Sequence, residues 1–305
     1  MRQKTLRRPT GCAGIGLHSG KRIALSLSPA APDTGVVIRR SDLPRAHDIA
    51  VRWSNVVDTR MATTLGNADG VRVGTVEHLM AALAGCEIDN AVIEVDGPEV
   101  PVMDGSAAPF VQLIEGAGTV EQHRRRRAIQ VLKPVEVGDD RRSVAIEPAS
   151  LFEVSFEIEF DSPAIARQRF GACIVNGTFR DEIAGARTFG FAEDVGALRA
   201  AGLALGGSLD NAIVILDGKV LNKGGLRFAD EFVRHKVLDC VGDLYLAGAP
   251  LIGRVHGVCS GHTLHHRLLA ALFADASAWC YVDARDTGHA PAAPDWRDGA
   301  SVATA

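Results

Sequence analysis

The sequence predicts an α+β protein in which helices cover one face of each sheet. Short apolar runs with period-2 alternation, separated by Gly, Pro and Asn, are typical of strands and occur in both halves of the chain. Only a few segments have helical periodicity. The regular strand–helix alternation of a doubly wound sheet is absent, as is any GxGxxG or Walker A loop. These observations together favour α+β over α/β.

The elements follow in order along the chain. In the first half, strands are predicted over IALSLSPA, GVVIRR and AVIEVDG, and helices over 76–84 and 107–115, with Thr75 as the N-cap of the first helix. In the second half, strands are predicted over IQVLKPVEVG, SVAIEP and FEVSFEIEF, and helices over 193–201, 229–246 and 263–274.

One internal similarity indicates a duplicated unit. The segment IDNAVIEVDGPEV (88–100) is similar to LDNAIVILDGKVL (209–221), and a predicted helix follows each copy. We therefore predict an N-terminal α+β domain over 1–124, a linker over 125–130, a C-terminal α+β domain over 131–282 and a flexible tail over 283–305.

Composition excludes several classes of protein. The chain has 305 residues, 47% hydrophobic and 23% charged, with a formal charge of −4, which is typical of a globular protein and not of a nucleic-acid binder. The four arginines at 124–127 fit a solvated linker better than a nucleic-acid patch. No apolar run is long enough for a membrane span, and no signal peptide is visible. With six scattered cysteines, we expect a cytoplasmic protein without stable membrane insertion.

The long helix carries the first candidate site. At about 100° per residue, His235, Lys236, Asp239 and Asp243 lie together on a face separate from the apolar one. His and Asp at positions i and i+4 can share a metal ion. The spacing alone is also typical of an ordinary His–Asp pair on a solvated face.

Two further histidines begin helices. His78 lies in a first turn, where the helix dipole favours neutral imidazole, and Glu77 beside it is placed to adjoin a metal-bound water. His262 could serve as a proton donor if a carboxylate such as Asp243 held it in the charged form. Each alone is more typical of a residue that favours a helix N-terminus or lies on the surface. The other seven histidines, His265 included, have no comparable neighbours in the sequence.

Together these residues predict a catalytic metal site. Two histidines and one aspartate make a three-ligand set that leaves a position for water, which is the pattern of catalytic zinc. Glu77 as base and His262 as acid complete the requirements of zinc-assisted hydrolysis.

The same residues carry a resemblance to a known family. The blocks VEHLMAALAG, MDGSAAPF, ARTFGF, LGGSLDNAIV, FVRHKVLDCVGDLYL and SGH, with GIGLHSGK near the start, resemble motifs of UDP-3-O-acyl-N-acetylglucosamine deacetylases. The likeness covers residues 1 to about 282. It implies two similar domains, each a sheet layer packed on a helix layer, with the active site between them. It also implies the committed step of lipid A biosynthesis in Gram-negative bacteria, which releases acetate.

The resemblance implies a role for each site residue. One Zn²⁺ per chain would be bound by His78, His235 and Asp239. Glu77 would be the general base, and His262, oriented by Asp243, would protonate the leaving amine. Thr188 would stabilise the oxyanion, Lys236 would lie near the charged part of the substrate, and Phe160 near the uridine. The insert from Phe189 to Val214 would hold the acyl chain, through Phe189, Phe191, Val195, Leu203, Leu209 and Val214.

Two departures and two alternatives accompany the resemblance. Cys259 stands where many members have lysine, which affects a diphosphate contact, and Ala62 replaces a common cysteine near the zinc. One alternative is a zinc amidohydrolase for another N-acetyl sugar, against which the apolar insert argues. The other is an inactive binding or regulatory protein, against which the complete set of ligands, base and acid argues. We expect a monomer that binds the nucleotide substrate and no nucleic acid.

Overall fold

The computed structural model describes residues 1–44, 48–175 and 177–284, and its fold is α+β, as predicted. In the first half, the elements are β1 (Arg2–Leu6), β2 (Thr10–Ile15), β3 (Arg22–Pro29), β4 (Val36–Arg40), β5 (Asp48–Ala50), β6 (Val56–Asp58), β7 (Thr64–Gly66), β8 (Arg72–Val73), α1 (Glu77–Gly85), β9 (Ala91–Val95), α2 (Ala108–Ala117) and β10 (Thr119–Arg125).

In the second half, the elements are β11 (Arg127–Val131), β12 (Val135–Gly138), β13 (Ser143–Glu147), β14 (Phe152–Glu159), β15 (Arg167–Cys173), β16 (Phe189–Phe191), α3 (Ala192–Ala200), β17 (Ile213–Leu216), β18 (Lys219–Val220), α4 (Glu231–Tyr245), β19 (Leu251–Val258), α5 (His262–Ala274) and β20 (Trp279–Asp283). A short 3₁₀ turn (Trp53–Asn55) and a π-helical turn (Phe179–Ile183) complete the described elements.

The two halves repeat one sheet topology. The first sheet has the order β2–β3–β9–β4–β5, in which β9 is parallel to β4 and the other neighbours are antiparallel. The second contains the series β12–β13–β19–β14–β15 with the same directions, β19 being parallel to β14. In both series the central strand comes last and connects two helices, α1 and α2 or α4 and α5. The fold therefore contains a structural duplication.

The duplication does not relate the two similar sequence segments. The 88–100 segment contains β9, the centre of the first sheet, but the 209–221 segment contains β17, which belongs to a separate three-stranded sheet β16–β17–β18. The topological equivalent of β9 is β19. The interpretation of 88–100 and 209–221 as equivalent units was wrong, because short Asp-Asn-Ala strand starts recur in different sheets.

The helices of the two halves meet at α1 and α4. These helices pack directly against each other, while α4 also packs on β14 and β15, and α5 packs on β12 and β13. Residues Glu77 to Leu83 of α1 are all buried. Because both helices are covered from both sides, polar groups on their facing surfaces are shielded from bulk water.

Residues 125–130, expected to be a linker, lie in β10 and β11, with Arg126 between the two strands. The first pairs with β1 and the second with β19 and β20. The four arginines have separate partners: Arg124 lies 2.9 Å from Asp33, Arg125 2.8 Å from Asp283, Arg126 2.8 Å from Asp89, and Arg127 stacks 4.5 Å from the Tyr281 ring centroid. The division into domains stays a prediction, which the repeated topology supports.

The predicted helices all occur, with ends shifted by one or two residues. Thr75 is not an N-cap. Its φ is 54°, in the left-handed region, and its hydroxyl donates to Glu99 Oε2 at 3.0 Å instead of to the helix. The predicted tail over 283–305 lies outside the described residues from 285 onwards.

Candidate active site

Three buried side chains from two helices converge between the halves of the chain. His78 lies in the first turn of α1, and His235 and Asp239 lie one turn apart on α4. Nε2 of His235 is 3.3 Å from Oδ1 of Asp239, and Nε2 of His78 is 3.6 Å from the same oxygen. The two imidazoles are nearly perpendicular, with ring centroids 5.0 Å apart. One ligand atom from each residue lies within 4.8 Å of the others.

The orientation of His235 is fixed from behind. Its Nδ1 lies 3.0 Å from the carbonyl oxygen of Ala186, which can only accept, so Nδ1 carries the proton and Nε2 faces Asp239 with a lone pair. Burial lowers the pKa of His235 to about 3, which favours the neutral, ligating form. This arrangement of a backbone carbonyl behind a histidine is typical of metal ligands.

The donor set fits a zinc ion. Asp239 Oδ1 is buried and has no hydrogen-bond partner among the described residues, although two imidazole nitrogens face it. Its second oxygen accepts from Lys236 Nζ at 2.8 Å. A buried carboxylate oxygen without a partner is costly unless a cation completes its contacts. Two nitrogens and one oxygen in this arrangement match the ligand preference of Zn²⁺.

Glu77 lies beside this cluster and faces His262. Its Oε2 accepts from the backbone N–H of Thr63 at 3.0 Å, and its Oε1 lies 3.9 Å from Nε2 of His262. Burial raises the pKa of the Glu77 carboxyl, which makes the carboxylate a stronger base than one in water. A carboxylate and an imidazole therefore face each other across a gap next to the candidate metal ligands.

His262 is held by a carboxylate from the neighbouring helix. Its Nδ1 donates to Asp243 Oδ2 at 2.7 Å, and the other oxygen of Asp243 accepts from the Thr63 hydroxyl at 2.5 Å. Burial opposes the charged imidazolium, but the charge and hydrogen bond of Asp243, together with the charge of Glu77, raise the pKa of His262 to about 10. These contacts favour the protonated form of His262.

A cluster of phenylalanines borders the same site. The ring centroid of Phe189 is 6.3 Å from that of His235, and Lys236 Nζ is 5.5 Å from the Phe189 centroid. Phe160 packs on Phe189 and Phe191, with centroids 5.7 and 6.0 Å away. These aromatic rings and the lysine thus form an apolar and cationic wall next to the candidate metal ligands.

Thr188 and four residues of the insert lie outside this phenylalanine cluster. The backbone of Thr188 lies between Gly105 and Ile213, to which it is hydrogen-bonded at 2.8 Å on each side. Its neighbours Ala186 and Phe189 both contact His235. Val195 and Leu203 are half-buried, Val214 lies on β17, and Leu209 is 48% exposed. The roles of these four residues, like that of Thr188, stay predictions.

Three buried charged or polar groups were missed in the sequence. His265, set aside as having no neighbours, is fully buried and lies 2.7 Å from Asp243. Glu99 accepts from Ser19 and Thr75 and so connects the 16–20 loop to the start of α1. Glu231 accepts bidentate hydrogen bonds from Arg187 at 2.8 and 3.1 Å. All three depend on partners distant in sequence, which periodicity does not show.

Comparison with known proteins decides the family. Residues 3–274 match the family model described as UDP-3-O-acyl N-acetylglycosamine deacetylase. The chain belongs to this family. Among relatives named UDP-3-O-acyl-N-acetylglucosamine deacetylase, the proteins of Acidithiobacillus ferrooxidans and Phenylobacterium zucineum are each 51% identical to it. The alignments cover 93% of both chains in the first case, and 92% of this chain and 96% of the relative in the second. The protein of Chromobacterium violaceum is 50% identical, and the alignment covers 95% of this chain and 96% of the relative.

Membership of the deacetylase family agrees with the geometry of the site. The two departures noted in the sequence are also placed: Cys259 has a φ of 46° and directly precedes Ser260, and Ala62 is buried next to Thr63. Among the described residues, we find no helix that is both long enough and apolar enough to cross a membrane.

Proposed function

We propose that the protein removes the N-acetyl group from UDP-3-O-acyl-N-acetylglucosamine with the help of one zinc ion, in lipid A biosynthesis. Acetate and the free 2-amino sugar nucleotide would be the products. The observation that carries the proposal is the convergence of His78, His235 and Asp239 beside the facing side chains of Glu77 and His262. A nucleotide substrate and six free thiols suit a cytoplasmic reaction.

His78, His235 and Asp239 would hold the zinc ion. When bound, it would supply Lewis acidity toward the amide carbonyl and the attacking water. Lys236 would neutralise the second oxygen of Asp239 and present the remaining positive charge toward the substrate. The backbone of Ala186 would keep the Nε2 lone pair of His235 directed at the metal.

Glu77 and His262 would divide the proton transfers. Glu77 would accept a proton from the attacking water, while its other oxygen stays held by Thr63. His262 would donate the proton from Nε2 to the leaving nitrogen, because Nδ1 is engaged by Asp243. Thr188 would donate a hydrogen bond to the oxyanion that forms at the carbonyl. Water adds to the carbonyl carbon, the C–N bond breaks, and the amine leaves with the proton from His262.

The phenylalanine cluster and the insert would select the substrate. Phe160, Phe189 and Phe191 offer ring faces and edges beside the metal ligands, suited to a uridine and the start of an acyl chain. A long acyl chain buried along the insert contributes about 0.8 kcal/mol per CH₂ before ordering costs.

The test combines product and metal analysis. The purified protein should release acetate from the acylated nucleotide and contain about one zinc per chain, as a three-ligand catalytic site requires. Asp239→Ala should lose both the metal and the activity, whereas Asp140→Ala, at an exposed position, should change neither. No acetate release by the zinc-loaded parent would overturn the proposed activity. Full zinc content in Asp239→Ala after dialysis against a chelator would overturn the assigned ligands.

A further inference from the structure

The carboxylate of Asp243 lies between two imidazoles rather than one. Nδ1 of His262 and Nδ1 of His265 are each 2.7 Å from the same atom, Oδ2. The other oxygen accepts from the Thr63 hydroxyl. Burial would raise the pKa of Asp243, but the charges and hydrogen bonds of both histidines hold it well below its usual range. The ionised carboxylate therefore accepts three side-chain hydrogen bonds.

His265 is fixed on every side. Its side chain is fully buried, its Nε2 is 3.2 Å from the hydroxyl of Ser260, and its ring meets Phe156 edge-on with centroids 5.7 Å apart. Because a carboxylate only accepts, Nδ1 of His265 carries a proton. His265 lies on α5, one turn after His262, so both imidazoles reach Asp243 from the same helix.

We propose that His265 is a positioning residue that sets the proton affinity of His262 through the oxygen of Asp243 that the two histidines share. The N–H of His265 takes up part of the negative charge on that oxygen. Less of the charge then acts on His262, whose proton is held less tightly and is released more readily to a leaving group. The same hydrogen bond prevents the carboxylate from rotating away from His262.

Two other charged groups act on His262, and neither is hydrogen-bonded to His265. Glu77 faces Nε2 of His262 from α1, and Asp239 acts on it electrostatically from α4. Both raise the pKa of His262. A change at position 265 that retains a polar amide therefore alters the proton affinity of His262 through Asp243 alone. The inference rests on the proposed role of His262 as acid.

Two matched amide variants separate the two contacts of His265. In His265→Asn the amide nitrogen reaches the position of Nδ1 and keeps the bond to Asp243. In His265→Gln it reaches the position of Nε2 and keeps only the bond toward Ser260. Both are compared with the parent in zinc-loaded form, by pH–rate profiles for deacetylation of the acylated nucleotide and by thermal unfolding.

We expect His265→Gln to move the basic limb of the profile to higher pH by about 0.5–1 unit, because Asp243 then concentrates its charge on His262. His265→Asn should retain the parental limb. Equal limbs in the two variants would overturn the proposal, since a merely structural role would lower the rates at all pH values alike.

A measurement on the unmodified holoenzyme keeps the assignment testable if the variants fold poorly. In ¹⁵N-histidine NMR, Nδ1 of His265 should be protonated and coupled to its hydrogen. A spectrum in which Nδ1 carries no proton would overturn the proposal. This readout does not depend on catalysis, so failure of the parent to deacetylate would count against the proposed function and not against the hydrogen bond.

Discussion

Gly242 of α4 lies directly against the main chain of Glu77 in α1. A Cβ atom at position 242 would overlap the carbonyl oxygen of Glu77 and approach the backbone nitrogen of Ala81 to 3.1 Å. The absence of a side chain is what permits the two helices to come this close. The contact lies one residue from His78 on α1 and three residues from Asp239 on α4, so it limits how far apart these two candidate metal ligands lie.

Gly242→Ala should therefore separate α1 from α4 and impair the site. We expect a loss of about 1–3 kcal/mol in the free energy of unfolding, as is typical of overpacking. We also expect turnover to fall about 100-fold, since displacements of about 1 Å have such effects. Gly116→Ala on α2, where an added Cβ meets nothing within 4 Å, is the control and should leave both quantities unchanged. Parental turnover in Gly242→Ala would contradict this account.

Loss of the base or of the acid should spare the metal. Glu77→Gln and His262→Gln retain polar side chains of similar size, and each should reduce kcat by about 10²–10⁴-fold, the usual contribution of acid–base groups. Zinc content measured by mass spectrometry should match that of the parent. His123→Gln, at an exposed position, serves as the control. A variant that loses zinc together with activity would identify that residue as a ligand instead.

The pH dependence should report His262. Asp243 and Glu77 raise the pKa of His262 to about 10 in spite of burial, and a nearby zinc ion would lower it from that value. Activity that needs the imidazolium is present below this pKa and lost as pH rises through it. Asp243→Asn removes a negative charge, so the basic limb should move to lower pH. An unchanged limb in the pH–rate profile would show that a different group is the acid.

The buried pair of Arg187 and Glu231 should support both Thr188 and the start of α4. Glu231 is fully buried, and Glu231→Gln leaves the Arg187 guanidinium without its charged partner. We expect a loss of about 3–5 kcal/mol in urea unfolding, as for other broken buried pairs. Arg124→Ala, which breaks an exposed pair with Asp33, should cost less than about 1 kcal/mol. Similar losses of unfolding free energy in the two variants would show that the buried pair of Arg187 and Glu231 stabilises the protein no more than an exposed pair does.

Selectivity for the acyl chain should depend on the insert. Leu203→Asp should lower kcat/KM for the acylated nucleotide far more than for UDP-N-acetylglucosamine, because a charge opposes burial of the chain. Leu132→Asp, at an exposed position elsewhere, should change neither value. In the parent, the two substrates should differ by more than about tenfold, or 1.4 kcal/mol. A smaller difference would favour the alternative of a zinc amidohydrolase that acts on another N-acetyl sugar.

The sequence predicted the site well where the functional side chains are close together along the chain. His235, Asp239 and Asp243 lie at four-residue intervals, so one helix brings them to one face, and the α+β class followed from the strand and helix patterns. The relation between β9 and β19 was hidden, because AVIEV and LIGRVHGV share topology without sharing sequence. His265 was also hidden, since it acquires its role only when α5 packs beside Asp243.

The repeated topology has a consequence for how such a protein can change. In each half the additional strands enter at the same connection, between the edge strand and the first helix. There β6–β8 precede α1, and β16–β18 with α3 precede α4. The central strands and the α1–α4 contact lie outside both segments. Either segment can change in length without reordering a sheet as long as Thr63, which holds Glu77 and Asp243, and Thr188 stay in place. New substrate preferences can therefore evolve around a hydrolytic site whose two central helices are inherited unchanged.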